Sequence, residues 1–281
     1  GDEPILSTYL VNSADFVAVH APTYVKKYDV TADLKDGGTF LLNCPWSVEE
    51  LEEHLPAKMK RDLARKHANF YIIDAAKLAA AIGLGKRTNN ILQGAFFALT
   101  KVIPMDLAIE DMKKNNYNSY FKKAGQKIVD LNDQAVDLGV SAAVKVEIPA
   151  SWADAQDTPV AEPKGITSFV RDIVLPLDRQ QGDKLPVSKL AADGYVPTGT
   201  TKYEKRGIAV EVPMWIPENC VQCNQCALVC PHASIRPFVM TEETEAPETF
   251  VAKKATGVGD GKLFRIQVSP YDCTGCGSCV N

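Results

Sequence analysis

What is scarce in this 281-residue sequence narrows it before anything else does. No run of about 18 apolar residues occurs, because Asp74, Lys77 and Lys101 interrupt the most apolar stretches, Phe70 to Leu84 and Ile91 to Met105. No membrane span is expected. No charge of one sign dominates either: 31 Lys and Arg stand against 35 Asp and Glu, a formal net charge of -4, and no basic block could track a phosphate backbone. Nucleic acid is set aside as a partner on that ground. Cysteine is almost missing ahead of Cys220, where Cys44 stands alone. No secretory signal pattern opens the sequence, so a disulfide framework lacks its usual context and a cytoplasmic setting is expected. The first residues, Gly1-Asp2-Glu3-Pro4, include no Met, and the sequence stops at Asn281 just after a Cys-rich run. The chain is therefore expected to be a piece of a longer polypeptide, with Gly1 a tag remnant.

What is present is ordinary in bulk and unusual in distribution. A content of 46% hydrophobic and 23% charged residues is that of a folded globular protein and excludes disorder, collagen and coiled coil. Seven of the eight cysteines, however, crowd into the C-terminal part of the chain: Cys220, Cys223, Cys226, Cys230, Cys273, Cys276 and Cys279.

Residues 1–158 alternate short apolar runs with helical patterns. Phe16 to His20, Thr39 to Asn43 and Phe70 to Asp74 are nearly continuously apolar, as parallel strands buried on both faces are. The intervals between them are long enough for crossover helices. Gly37-Gly38 reads as the turn that ends the first crossover. Ser47-Val-Glu-Glu50 has the form of a capping box, followed at helical spacing by Leu51, Leu55, Met59 and Leu63. Asn90 to Val102 reads as a buried helix closed by Pro104. The fold class expected is α/β, a doubly wound, flavodoxin- or Rossmann-like sheet that is mostly parallel. Residues 159–217 hold seven Pro and five Gly and little periodicity beyond Phe169 to Leu177, which predicts an extended linker. Its apolar residues (Val187, Leu190, Tyr195, Val196, Tyr203, Ile208, Val210, Val212, Trp215) predict that it is pinned against neighbouring protein surface. Residues 218–281 are expected to form a truncated ferredoxin-like domain.

The chemistry sits in the cysteines. Cys220-x2-Cys223-x2-Cys226-x3-Cys230-Pro231 matches the bacterial ferredoxin run, and Cys273-x2-Cys276-x2-Cys279 begins a second copy. Three thiolates at i, i+3 and i+6 can wrap one cubane, and in two-cluster ferredoxins the fourth cysteine of a run ligates the other cluster. Cys230, Cys273, Cys276 and Cys279 are thus expected to hold one [4Fe-4S] cluster, and Cys220, Cys223 and Cys226 a second whose last ligand lies two residues past Asn281. Zinc prefers CxxC pairs and requires neither the third cysteine at the next i+3 position nor the Cys-Pro, yet a zinc-bound, non-enzymatic interaction module remains the alternative. The stretch between Cys230 and Cys273 is longer than a minimal two-cluster ferredoxin needs, and it contains an acidic, Pro-containing insertion from Thr241 to Thr249.

Other signals are weaker. Ile82 to Thr88 contains GxG but follows a helical run, so a helix end and turn is preferred to a dinucleotide loop. Gly257 to Lys262 hints at a phosphate loop, but Leu263 stands where Ser or Thr should meet magnesium. A nucleotide-dependent α/β enzyme is the third hypothesis. Cys44 reads as a buried thiol, His20 as a structural or surface residue at a strand end, and His232 as an exposed neighbour of the cysteine run.

The run from Leu185 to Ala209, Val212-Pro-Met-Trp-Ile-Pro-Glu-Asn-Cys220 and Cys230-Pro-His-Ala-Ser-Ile-Arg236 closely resembles the middle of single-chain pyruvate:ferredoxin (flavodoxin) oxidoreductases. Ser7 to Leu10, Phe40 to Asn43 and Phe70 to Asp74 are similar to the gamma-type domain of that family, whose N-terminal part would be missing. The resemblance implies a parent enzyme that decarboxylates pyruvate on thiamine diphosphate with Mg2+, passes electrons through three [4Fe-4S] clusters and forms acetyl-CoA. It implies an oxidoreductase of anaerobic pyruvate metabolism, usually a homodimer, with ferredoxin or flavodoxin as electron partner. In that frame this chain holds no catalytic residue of its own. It is a scaffold beside the active site and the path of coenzyme A, joined to an electron relay.

Overall fold

A computed structural model describes Pro4 and residues 11–158 and 165–280. The Ser7 to Leu10 segment, the start of the expected linker at 159–164 and Asn281 lie outside the described residues. The chain divides into two compact units, one ending at Pro163 and one beginning at Lys164.

The first unit runs β1 (Ala14–Val19), α1 (Tyr24–Lys27), β2 (Leu34–Asn43), α2 (Leu51–His54), α3 (Ala57–Arg65), β3 (Asn69–Ile73), α4 (Ala75–Ala81), α5 (Asn89–Thr100), α6 (Met105–Ala124), α7 (Gln126–Ala142) and β4 (Val144–Val146). Its sheet has the order β1-β2-β3-β4. β1, β2 and β3 are parallel, with Val17 opposite Phe40 and Phe40 opposite Phe70. β4 runs antiparallel to β3, Ile72 facing Val144. Side chains alternate along the strands, so the two faces build two cores. Phe40, Leu42, Phe70 and Ile72 pack with Leu51, Leu55, Met59, Leu63 and Trp152 on one face. Leu41 and Ile73 pack with Ala75, Ala79, Ile91, Leu92 and Ala135 on the other. Helices therefore cover both sides, the α/β arrangement that continuously apolar strands demand.

Local chemistry explains the breaks. The capping box forms: the Ser47 amide donates to Glu50 Oε2 at 2.7 Å, and the Glu50 amide to Ser47 Oγ at 3.4 Å. The helix it opens is not continuous, because Pro56, the residue before α3, interrupts it after Leu55. Gly37-Gly38 lies inside β2 rather than before it. While β1 advances from Ala14 to Phe16, its partner advances from Leu34 to Thr39, and Gly37 takes φ +71° in that excursion. Lys101 in the left-handed region ends α5, and Pro104 opens α6 instead of closing the helix before it. The Asp74 carboxylate caps α4 by accepting from the Lys77 amide at 2.9 Å. Asn43 closes the carboxyl end of the sheet, donating to the His20 carbonyl at 2.9 Å and accepting from the Ala75 amide at 3.0 Å.

The second unit carries a five-residue π turn at Val170–Val174 running into α8 (Leu175–Asp178), then short 3-10 turns, α9 (Gln225–Leu228), β5 (Ile235–Thr241), β6 (Lys253–Lys254) and β7 (Lys262–Val268). Val170 and Ile173 are buried. Among the apolar residues of the expected linker, Val187, Leu190, Tyr195, Val196, Val210 and Val212 are exposed in this chain, whereas Tyr203, Ile208 and Trp215 are half-buried. The strands form an antiparallel sheet in the order β5-β7-β6. Ile235, Ala255, Phe264 and Ile266 make its core, and Trp215, Cys226, Cys230 and Cys279 pack against it. The acidic stretch between β5 and β6 is exposed. No helix among the described residues is long and apolar enough to cross a membrane.

Candidate metal centre

Two loops carry the seven C-terminal cysteines, and their backbones are wound alike. In the first, Gln222 and Asn224 both take φ +61°; in the second, Gly275 takes φ +69° and Gly277 φ +81°. These are the second and fourth residues after Cys220 and after Cys273. In each loop the same amide turns back on the same sulfur: the Gln222 N–H lies 3.4 Å from Cys220 Sγ, and the Gly275 N–H lies 3.4 Å from Cys273 Sγ. Left-handed residues at alternate positions swing successive amides to the inside of the loop, where they face anionic sulfur. The second loop uses glycine for this at no steric cost. The first uses Gln and Asn, and Gln222 is held by its side chain. Its Nε2 donates to the Lys254 carbonyl at 2.7 Å, and its Oε1 accepts from the Thr256 amide at 2.9 Å and hydroxyl at 3.1 Å.

The thiols also group electrostatically. Burial is the largest influence raising the Cys226 thiol above its ordinary value; the Ala227 amide opposes it, and Cys220 and Cys223 add to the rise. Cys279 is likewise raised, first by burial and then by Cys230, Cys273 and Cys276. Burial alone would raise the Cys230 thiol, but amides of His232, Ser234 and Ile235 converge on it and hold it below its ordinary value, the Ser234 N–H at 3.3 Å from Sγ. Cys276 is lowered by the Ser278 hydroxyl and amide. Clustered thiolates repel one another, so a bound cationic core would offset their charge. The all-sulfur donor set and the inward amides fit [4Fe-4S] clusters. Among the described residues no three His, Cys, Asp or Glu side chains lie close enough to hold a single metal ion.

Two features near the cysteines had no sequence signal. Lys253, in β6, donates to the Cys220 carbonyl at 2.8 Å and to the Pro217 carbonyl at 2.9 Å, fixing the start of the first loop. Lys205 pairs with Asp272, the residue before Cys273, at 2.5 Å. Both join parts of the chain that are far apart in sequence, so only the tertiary fold reveals them.

The remaining candidates fall where the weaker readings put them. Cys44 is buried in the first unit, and burial pushes its thiol up to about 11. His20 and His232 are exposed. Residues 82–88 form the turn after α4, with Gly83 and Gly85 at positive φ, and residues 255–262 close the β6–β7 connection through the Ala255 amide and the Lys262 carbonyl at 2.9 Å.

Comparison with known sequences gives three matches along the chain. The family described as pyruvate ferredoxin/flavodoxin oxidoreductase matches residues 1–142, a domain of unknown function matches 155–209, and a 4Fe-4S dicluster domain matches 219–281. The chain is 51% identical over 284 residues to the pyruvate:ferredoxin oxidoreductase of Moorella thermoacetica, covering 100% of this chain and 24% of that protein. It is 48% identical to the pyruvate-flavodoxin oxidoreductase of Enterobacter agglomerans, with 100% and 24% covered. It is 45% identical to the mitochondrial pyruvate dehydrogenase [NADP(+)] of Euglena gracilis, with 100% and 16% covered. The chain spans about a quarter or less of the length of these relatives.

Proposed function

Because the chain belongs to the pyruvate ferredoxin/flavodoxin oxidoreductase family, we propose that it is the scaffold and electron-relay segment of such an enzyme. Cys230, Cys273, Cys276 and Cys279 hold one [4Fe-4S] cluster. Cys220, Cys223 and Cys226 hold three corners of a second, whose fourth ligand follows Asn281. A bound cubane accepts and releases one electron at a time. The chain's own residues supply the thiolates, the amides that stabilise negative sulfur and the apolar packing of Ile235, Phe264 and Ile266 behind them, which together set the potential. Pyruvate oxidation on thiamine diphosphate and Mg2+, a third cluster and acetyl transfer to coenzyme A belong to parts of the enzyme outside this chain. Ferredoxin or flavodoxin is the acceptor, the whole enzyme a homodimer, and the setting cytoplasmic and oxygen-poor.

The observation that carries this reading is the matched winding of the two cysteine loops, in which the Gln222 and Gly275 amides each turn back to 3.4 Å from the sulfur two residues earlier, as loops that wrap anionic clusters do. The test is metal analysis of a chain extended a few residues past Asn281 and assembled anaerobically. About eight iron and eight acid-labile sulfide per chain are expected. Zinc without sulfide would reject the reading in favour of a zinc-bound interaction module.

A further inference from the structure

The segment from Thr200 to Glu211 lies largely within the match of unknown function, and part of it, from Lys205 to Glu211, packs against the second cysteine loop. The Gly207 amide donates to the Tyr271 carbonyl at 2.9 Å, and a Cβ on Gly207, already at φ +60°, would lie 3.1 Å from the Tyr271 ring. A Cβ on Gly275, between Cys273 and Cys276, would lie 3.2 Å from the Glu211 carbonyl and 3.5 Å from Ala209. Two glycines, one on each side, thus let the backbones approach more closely than side chains permit. Between them, Lys205 Nζ reaches Asp272 Oδ2 at 2.5 Å, and Ser269 Oγ donates to that same oxygen at 2.6 Å. Lys205, Asp272, Cys273, His232 and Arg236 line a single solvent-open cavity of about 600 Å³.

We propose that this segment is a strap for the second cluster, and that Lys205 is a positioning residue whose charge, matched against Asp272, sets that cluster's potential. The inference rests on the reading that Cys230, Cys273, Cys276 and Cys279 hold a cubane. The Lys205 side chain is 42% exposed and that of Asp272 26%, so the pair contributes little to folding. Asp272 adjoins Cys273, and both line the same cavity as Lys205, so the pair stands beside that thiolate. Reduction adds an electron to a cluster that is already anionic, a cation beside it favours the reduced form, and an unmatched carboxylate disfavours it.

The test is a redox titration of the full-length, iron-loaded enzyme, followed by the electron paramagnetic resonance signal of each reduced cluster. Lys205→Met removes the cation paired with Asp272, leaving it the Ser269 hydroxyl and Arg236, and should lower the midpoint potential of one cluster. Asp272→Asn leaves Lys205 unmatched and should raise it. The double variant should return towards the wild-type value, and Lys205→Arg should reproduce it. The other clusters should move less in every case. A strap that acted only as mechanical support would shift both single variants the same way and leave the double variant worse; that result, equal shifts at all clusters, or no shift at all would overturn the proposal. Asp272→Asn also replaces the charged acceptor of Ser269 with a weaker amide oxygen, so if that variant loses iron the comparison of Lys205→Met with Lys205→Arg decides alone. A wild-type enzyme without iron would instead defeat the electron-relay reading on which the inference stands.

Discussion

Gly139 of α7 approaches Ile91 of α5 so closely that a Cβ added at Gly139 would overlap the Ile91 carbonyl oxygen. The contact is reciprocal, since a Cβ on Gly94 of α5 would lie 2.6 Å from the Val136 carbonyl of α7. These helices cover one face of the sheet, and their spacing is set by backbone rather than by side chains.

Gly139→Ala therefore has no room to relax without moving a helix. Alanine favours an isolated helix over glycine by about 1 kcal/mol, but overpacking costs typically 1–3 kcal/mol and more when the obstacle is backbone. A net loss of about 2 kcal/mol is expected in urea unfolding. Unchanged or increased stability would show that the helices stand further apart.

How much of this was legible in the sequence depended on whether the determinant was local. β2 and β3 were readable because burial on both faces leaves runs such as Phe40-Leu41-Leu42 with no polar interruption, whereas β1, at the edge of the sheet, has the apolar run but buries only Val19. The helix after Ser47 was readable in its spacing but not in its break, since Leu51, Leu55, Met59 and Leu63 keep one face across Pro56 and are all buried. β4 gave no signal: it is three residues long and Lys145 interrupts it. The cysteine loops announced themselves because their ligand spacing is fixed within a single short turn of chain. Lys253, Gln222 and Lys205 did not, because each pairs with a residue distant in sequence.

Cys44 predicts an alkaline limit to stability. Burial is the main cause of its rise; the Trp46 amide opposes it, and the Asp74 and Glu50 carboxylates reinforce it. The folded thiol thus keeps its proton from 9.0, the ordinary value, up to about 11, while the unfolded thiol loses it. The contribution is complete below about pH 9 and lost as pH rises towards 11, amounting to about 3 kcal/mol. Urea unfolding of the wild type and of Cys44→Ala, compared at pH 8 and pH 10.5, should show the wild type losing more. A constant gap between them would contradict a buried thiol.

Asp62 predicts the opposite limit. Partial burial works against its charge, but hydrogen bonds from Lys58 at 2.6 Å and from the Thr31 hydroxyl at 2.7 Å outweigh it and hold the carboxyl below its ordinary value. With the folded value depressed, its contribution is present above about pH 4 and is lost as pH falls through the folded value. Asp62→Asn should cost about 1 kcal/mol or more at pH 7 and progressively less towards pH 3. A penalty that stays the same across that range would assign the loss to packing rather than charge.

The proposed cross-pairing of the cysteines yields a prediction of non-additivity. In the chain extended past Asn281, Cys230→Ala should remove one cluster and about four of eight irons, although Cys230 follows the first loop in sequence. Cys276→Ala should remove the same cluster. The double variant Cys230→Ala/Cys276→Ala should then lose no more iron than either single change, because both residues serve one site. Cys230→Ala/Cys223→Ala should lose nearly all of it, because those two residues serve different sites despite standing close together in one run. Iron and sulfide counts on the four variants decide the matter: if Cys230 were a ligand of its own run, Cys230→Ala/Cys223→Ala would keep one cluster and Cys230→Ala/Cys276→Ala would keep none.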